Sequence, residues 1–378
     1  MLFMRDVKPA PPTRHHHQQG GSGSRHHPPQ SPAAMASLLR GLGFFHVPDM
    51  NGKLAVVTGG NSGIGLEVVK TLASKNAQVI MASRDAGRMQ AAVDVIRRQN
   101  PKAAANVTPM VCNLESMKSV RAFAEQVLAL QRPLDLLVNN AGRFLDAPFA
   151  LTEDGFEQVH AVNFWGHAYL TLLLLGRIME GAPSRIVHVV SFGEILGRVR
   201  MHDLRGAQEG NSGLPAYCDS KLLAYVWLSE LQARLRRAGA AVDCFATQPG
   251  YVASGLVDKV SFRYPLGLPA YVGARLIALP PYLGCRSTLF AAADPSLTGQ
   301  GVCSKRVGAP YFGAPYPLFS LPFLFHTASG PAWNPQAHDE ALRVEVWRET
   351  HRIMEEAAGP GVPDLAIALT LPQPGRSS

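Results

Sequence analysis

From Lys53 onward, short apolar runs alternate with longer stretches whose apolar residues recur at helical spacing. The runs Leu54–Val57, Gln78–Ala82, Val107–Val111, Leu134–Val138, Arg185–Val190 and Ala241–Ala246 are brief and rich in branched side chains, so they predict strands. Between them, Gly65–Ser74, Ala86–Gln99, Met117–Leu130, Thr152–Met179 and Ala216–Arg237 predict helices. Near-continuous apolar strands suit burial on both faces. Strands alternating with helices of this length imply right-handed crossovers. The expectation is an α/β fold, a Rossmann-type doubly wound parallel sheet with helices on both faces. Beyond Pro249 the alternation weakens. Gly and Pro are frequent through Pro322, and a last helix is expected from His338 to Ala357. We read 35–358 as a single domain, with 249–330 as a substrate-side cap and 359–378 as a flexible tail. Residues 1–34 are rich in His, Pro, Gln, Gly and Ser, so they predict a disordered extension.

The first strand runs into Thr58–Gly65, TGGNSGIG, and then into a helix. Glycines there let the chain turn tightly and approach a ligand closely. A helix N-terminus aims unpaired N–H groups at an anion. Strand, glycine turn and helix together point to a bound pyrophosphate. The second strand ends at Ala82 and is followed by Ser83, Arg84 and Asp85. An acid at that strand end would suit a ribose 2′-hydroxyl, whereas a neutral residue followed by Arg leaves room and charge for a 2′-phosphate. Ser83 and Arg84 therefore favour NADP(H) over NAD. Asp85 is placed to cap the next helix.

Composition narrows the class. Apolar residues make up 47% of the 378 and charged residues 17%, against a usual charged share of about 25%. That suits a greasy α/β enzyme. No stretch of about 18 apolar residues lacks breakers. The net charge of +8 is dispersed, with no basic stripe interleaved with aromatics, which argues against nucleic-acid binding. Cys112, Cys218, Cys244, Cys285 and Cys303 are odd in number and form no CxxC pair. They imply packed thiols in a reducing, intracellular compartment, without a disulfide framework or a metal site. The N-terminal segment is poor in acids and carries several Arg, a weak match to an organelle transit peptide. Met35 is a second candidate start.

Tyr217 and Lys221 stand at i, i+4, on one helix face. A free tyrosine has a pKa near 10, and a nearby ammonium favours its phenolate. The pair predicts a tyrosine lowered into acid–base range, though an ordinary amphipathic helix would also carry it. Ser191 ends the strand before that helix, where ligands of open parallel sheets bind. Asn139 and Asn140 follow the fourth strand and precede Ala141 and Gly142; their amides suit either bracing of strands or cofactor contact. Asn163, in the apolar run VNFWGH, needs buried partners. A structural bond and a catalytic relay are both open.

Taken together, TGGNSGIG, NNAG (Asn139 to Gly142), Ser191, YCDSK (Tyr217 to Lys221) and Pro249–Gly250 resemble the short-chain dehydrogenase/reductase family over residues 53–303. The runs AYCDSKL and VNFWGH are most similar to its retinol dehydrogenase-like branch. The resemblance implies a catalytic set of Asn163, Ser191, Tyr217 and Lys221. Ser191 would position the substrate oxygen and Tyr217 would act as general acid/base. Lys221 would lower its pKa and hold the nicotinamide ribose, while Asn163 would anchor a relay water. Gly59, Asn61, Ser62, Gly63, Ile64 and Gly65 would line the pyrophosphate. Asn113 and Leu114 would sit by the adenine, with Asn113 standing where relatives often carry Asp. Asn140, Ala141, Gly142, Pro249, Gly250 and Val252 would complete the NADP(H) site. Asp219 departs from the usual YxxxK run and is expected to face away from the site.

The reading is an NADP(H)-dependent oxidoreductase acting on the carbonyl or alcohol of an apolar, retinoid-, steroid- or lipid-like substrate. The greasy segments Tyr264–Cys285 and Tyr311–Phe325 suggest that substrate class, but would equally serve as core, dimer surface or peripheral membrane contact. A homodimer through Thr152–Met179 and Ala216–Arg237 is implied by resemblance. The alternative is a nucleotide-binding, redox-sensing scaffold without turnover.

Overall fold

A computed structural model describes residues 46–144, 149–208, 212–250, 252, 279–298, 311–312, 329–330, 334–359 and 362. All of them lie in one unit of the chain, residues 39–378. Residues 1–34, Cys303 and most of the segments 264–285, 311–325 and 359–378 lie outside the described residues.

Six strands alternate with helices as their patterning requires. They are β1 (Leu54–Thr58), β2 (Gln78–Ser83), β3 (Val107–Val111), β4 (Leu136–Asn139), β5 (Ser184–Val189) and β6 (Val242–Thr247). The helices that cover them are α1 (Gly63–Ser74), α2 (Ala86–Gln99), α3 (Met117–Leu128), α4 (Gly166–Glu180), α5 (Gly213–Arg237), α6 (Arg286–Ala293) and α7 (Glu340–Ala358). The sheet runs β3-β2-β1-β4-β5-β6, all parallel. Two two-residue strands the sequence pattern did not signal, β7 (Tyr311–Phe312) and β8 (Ser329–Gly330), extend it.

Alternate side chains of β1 feed two separate cores. Leu54 and Val56 join Phe123, Trp165, Tyr169 and Trp227 on one face, while Ala55 and Val57 join Val69, Leu72, Met89 and Phe245 on the other. Fully burying such side chains is worth about 1.5–3 kcal/mol each. Strand order reverses at β1, which pairs with both β2 and β4. Such a switch point opens a crevice at the carboxyl ends of the strands.

Several predicted boundaries shift. The helix expected over Thr152–Met179 does not begin at Thr152. Gly155 sits at φ 77°, Leu151 bridges Glu157, and the Thr152 N–H donates to the Phe156 carbonyl (2.8 Å), closing a turn that apolar spacing conceals. Helix starts at Gln158, where the Glu157 carboxylate caps the His160 N–H at 2.9 Å, and widens to a π-turn over Ala161–Trp165 before α4. Leu134 is buried yet precedes β4; its N–H goes to the Arg177 carbonyl (2.8 Å) and not to a strand ladder. Asp85 caps α2 as expected, accepting from the Arg88 N–H at 2.9 Å. Among the described residues no helix is long and apolar enough to cross a membrane.

Candidate active site

The glycine turn after β1 is built for close approach. Gly59 and Gly63 sit at φ 65° and 54°, where side chains are strained. A Cβ on Gly59 would stand 2.9 Å from the Ala141 Cα, and one on Gly65 would strike the Gly59 carbonyl. Ser62 precedes α1 without capping it through its side chain, so the first-turn N–H groups have no side-chain acceptor there. Behind the turn, the Thr58 hydroxyl accepts from the N–H groups of Asn140 (2.9 Å) and Ala141 (3.0 Å). The Asn140 amide donates to the Thr58 carbonyl at 2.8 Å, and that of Asn139 to the Thr171 hydroxyl at 2.9 Å. Both side chains brace the strands, and Asn140 and Ala141 also border the adjacent cleft.

The turn forms one wall of a cleft of about 420 Å³. Ser62, Ile64 and Arg84 line one stretch of it, and Tyr217, Lys221 and Pro249 another. Asn61, Gly65, Ser83, Asn113, Leu114 and Gly142 also reach it. These features suit a dinucleotide: bare backbone where phosphates need room, a helix N-terminus, and a cationic side chain where the second strand ends. Val252 is not on this wall. It bridges Leu279 and packs where a Cβ on Gly284 would lie. Gly250, at φ 77°, turns the chain just beyond Pro249 and also lies off the wall.

Tyr217 lies in the second turn of α5, partly buried, with the Phe144 ring edge-on at 4.4 Å. Ser191 stands close enough to its phenol to favour the ionised form, and the Ser191 Oγ accepts the Gly193 N–H at 3.1 Å. Lys221, one turn further on, is buried. Its Nζ donates to the Val189 carbonyl at 2.8 Å and lies 5.8 Å from the centre of the Tyr217 ring. The electrostatics differ from the expectation that Lys221 lowers the phenol. Burial pushes Tyr217 up to about 12, with only the nearby Ser191 hydroxyl opposing it. Burial also pushes the Lys221 ammonium down to about 7, so near neutrality it holds only part of a charge. As the structure stands, the phenol is a held proton and not a phenolate.

Asn163 is fully buried in the π-turn. Its Oδ1 accepts the Arg143 N–H at 2.8 Å, and its Nδ2 donates to the Arg143 carbonyl (3.1 Å) and the Ser220 hydroxyl (3.0 Å). It therefore anchors the loop after β4 to α5, and the neighbouring Val162 reaches the cleft wall instead. His188 stands 3.2 Å from the Asn163 carbonyl. Asp219 is buried on another side of α5, where it accepts the Arg198 N–H at 2.7 Å and pairs with Arg200 at 2.9 Å, tying down the segment after Ser191. Cys112, Cys218, Cys244 and Cys285 are buried and unpaired, and burial raises all four thiols.

Three polar features escaped the sequence reading. Thr58 is one; its place as the first letter of the glycine motif was the only signal. The buried pair His167 and His188, with rings 5.2 Å apart, is another. A histidine inside the apolar run RIVHVV was the visible sign. The third is Glu115, which pairs with Arg84 at 2.7 Å and Arg143 at 2.6 Å. An arginine directly after NNAG was its trace.

Residues 53–264 match the family model described as short chain dehydrogenase. The chain is 43% identical to retinol dehydrogenase 12 of Bos taurus over 206 residues, covering 54% of this chain and 63% of that protein. A crystal structure of an uncharacterized protein from Mycobacterium paratuberculosis superposes with a TM-score of 0.61 at 30% identity, covering 82% of this chain and 96% of the other. A protein from Beutenbergia cavernae described as an NAD(P)-dependent gluconate 5-dehydrogenase, solved with NADP at low occupancy, superposes with a TM-score of 0.53 at 25% identity, covering 67% of this chain and 94% of the other.

Proposed function

On the premise that the chain belongs to the short-chain dehydrogenase family, we propose that it is an NADP(H)-dependent oxidoreductase acting on the carbonyl or alcohol of an apolar substrate. The observation that carries the reading is a single cleft bordered by both the glycine turn and the Tyr217–Lys221 pair. The bound nicotinamide would supply a hydride donor and acceptor. Ser62, Ile64 and the bare turn between Gly59 and Gly65 hold the pyrophosphate, while Ser83 and Arg84 receive the 2′-phosphate. The NADP-bound relative from Beutenbergia supports that cofactor class.

Tyr217 carries the proton. With its pKa near 12 the phenol is protonated at neutral pH, so it is loaded to protonate a carbonyl oxygen held against Ser191. Run in the other direction, the phenol must first lose its proton, and an extra positive charge nearby favours that. Lys221 lies one turn away and supplies part of that charge. Asn163 holds the loop bearing Gly142 and Arg143 against α5, which fixes the cleft floor beside Lys221. The name of the Bos taurus relative, a retinol dehydrogenase, supports a long apolar alcohol or aldehyde as substrate class.

The test is fluorescence titration with NADPH and NADH, followed by turnover on a panel of aliphatic and isoprenoid aldehydes, with Tyr217→Phe in parallel. The reading expects tighter NADPH binding, and turnover lower in the variant by about 10²–10⁴ with binding unchanged. Tight NADPH binding without turnover on any substrate would favour a nucleotide-binding scaffold.

A further inference from the structure

The loops after β2, β3 and β4 meet at one carboxylate. Oε1 of Glu115 accepts from Arg84 at 2.7 Å and from Arg143 at 2.6 Å, and all three residues line the cleft. Glu115 is held in place from its own backbone. Its N–H donates to Oδ1 of Asn113 at 3.2 Å, and the Asn113 N–H in turn goes to the Ser119 hydroxyl at 3.0 Å. The two arms differ. The side chains of Arg143 and Glu115 are 14% and 18% exposed, so their pair is sheltered from water, while Arg84 is 58% exposed. An exposed ion pair contributes little and is readily exchanged for another partner. Arg84 is therefore the releasable arm, and Glu115 stays with Arg143. The other charges at this rim, Asp85 and Arg88, pair with each other at 3.3 Å and leave the balance to Glu115.

We propose that Glu115 is a specificity residue that lowers the affinity of the cleft for a 2′-phosphorylated adenosine by competing for Arg84. The inference rests on the assignment of Arg84 to the 2′-phosphate. A phosphate at that place must share Arg84 with a carboxylate or take it away, and it lies near a like charge while it does so. A ribose with a free 2′-hydroxyl meets neither cost. Glu115 thus narrows the preference for NADP(H) over NAD(H) without removing it.

The experiment is calorimetric titration of the full-length protein with adenosine 2′,5′-bisphosphate and with 5′-AMP, which involves no hydride transfer. Glu115→Gln keeps the shape and an acceptor but removes the charge. It should tighten the bisphosphate by about three- to fivefold, the scale of one exposed ion pair, and leave 5′-AMP within twofold. Glu115→Asp, which keeps the charge, should fall between Glu115→Gln and the wild type. In Arg84→Ala the bisphosphate should bind no better than 5′-AMP, and adding Glu115→Gln should tighten it by less than it does with Arg84 present, because only the like-charge repulsion is then relieved. A bisphosphate affinity that stays level or falls in Glu115→Gln, while Arg84→Ala abolishes the preference, overturns the role of Glu115 alone. A preference that survives Arg84→Ala overturns the 2′-phosphate assignment and the inference with it.

Discussion

Lys221→Met should abolish turnover and yet stabilise the nucleotide-free protein at neutral pH. In the folded chain the Lys221 ammonium is depressed from 10.5 to about 7 by burial. Each pKa unit corresponds to about 1.4 kcal/mol, so ionised Lys221 costs the fold roughly 5 kcal/mol at most. The variant removes that cost and loses one hydrogen bond, leaving the Val189 carbonyl without its donor. An unsatisfied buried group costs about 1–3 kcal/mol. The net gain at pH 7 is on the order of 2–4 kcal/mol. The sign follows from linkage. Above about pH 10.5 the amine is neutral in both states and the cost is absent. As pH falls, the unfolded chain takes up the proton first, so stability is lost between about 10.5 and 7 and levels off below that. Urea unfolding of both proteins at pH 6.5, 8.5 and 10.5 is the assay. The variant should be more stable at the lowest pH, with the difference shrinking and then reversing at the highest, where only the lost hydrogen bond remains. A variant less stable by the same amount at all three values would show that Lys221 is folded as a fully charged and compensated group.

Three further outcomes follow from the same geometry. Gly65→Ala puts a methyl group into the Gly59 carbonyl, so it should weaken NADPH by more than tenfold in fluorescence titration while the far-ultraviolet circular dichroism is unchanged. His188, buried and held down to about 3 by burial and by Lys221, is neutral in the fold. It should make the protein lose stability as pH falls from about 6.5 toward 3, and His188→Leu should flatten that part of the urea-midpoint profile. Tyr217→Phe should leave the rate of carbonyl reduction below about 1% of the wild type across pH 6–9, the loss expected when a positioned acid is removed.

Much of the fold was legible because its signals are local. Branched apolar runs marked all six long strands to within two residues, and the motif TGGNSGIG marked the crevice wall, since both depend on neighbours in sequence. The misplaced start of the helix near Thr152 has the opposite cause. Its apolar spacing continues through a turn set by Gly155 and by one backbone bond across four residues, and periodicity does not register a single left-handed residue. The two-residue strands β7 and β8 were invisible because a ladder that short needs no pattern of its own.

The site divides along the same line, and that division bears on how it works. Ser191, Tyr217 and Lys221 could be singled out, because i, i+4 spacing and strand ends can be counted, and the family resemblance then grouped them as a set. Their protonation was not legible, because burial is a property of the whole fold. A sequence argument places an ammonium beside a phenol and concludes that the phenol drops. The fold buries Lys221 and partly buries Tyr217, and desolvation moves each toward its neutral form, Tyr217 upward and Lys221 downward. The pair is thus assembled in geometry but not in charge. Additional charge brought beside it would shift both groups, an anion raising Lys221 and a cation lowering Tyr217. The chain makes acid–base readiness depend on what fills the cleft. Glu115, tied between Arg84 and Arg143 at the rim, is a further charged group whose pairing a ligand in the cleft would change.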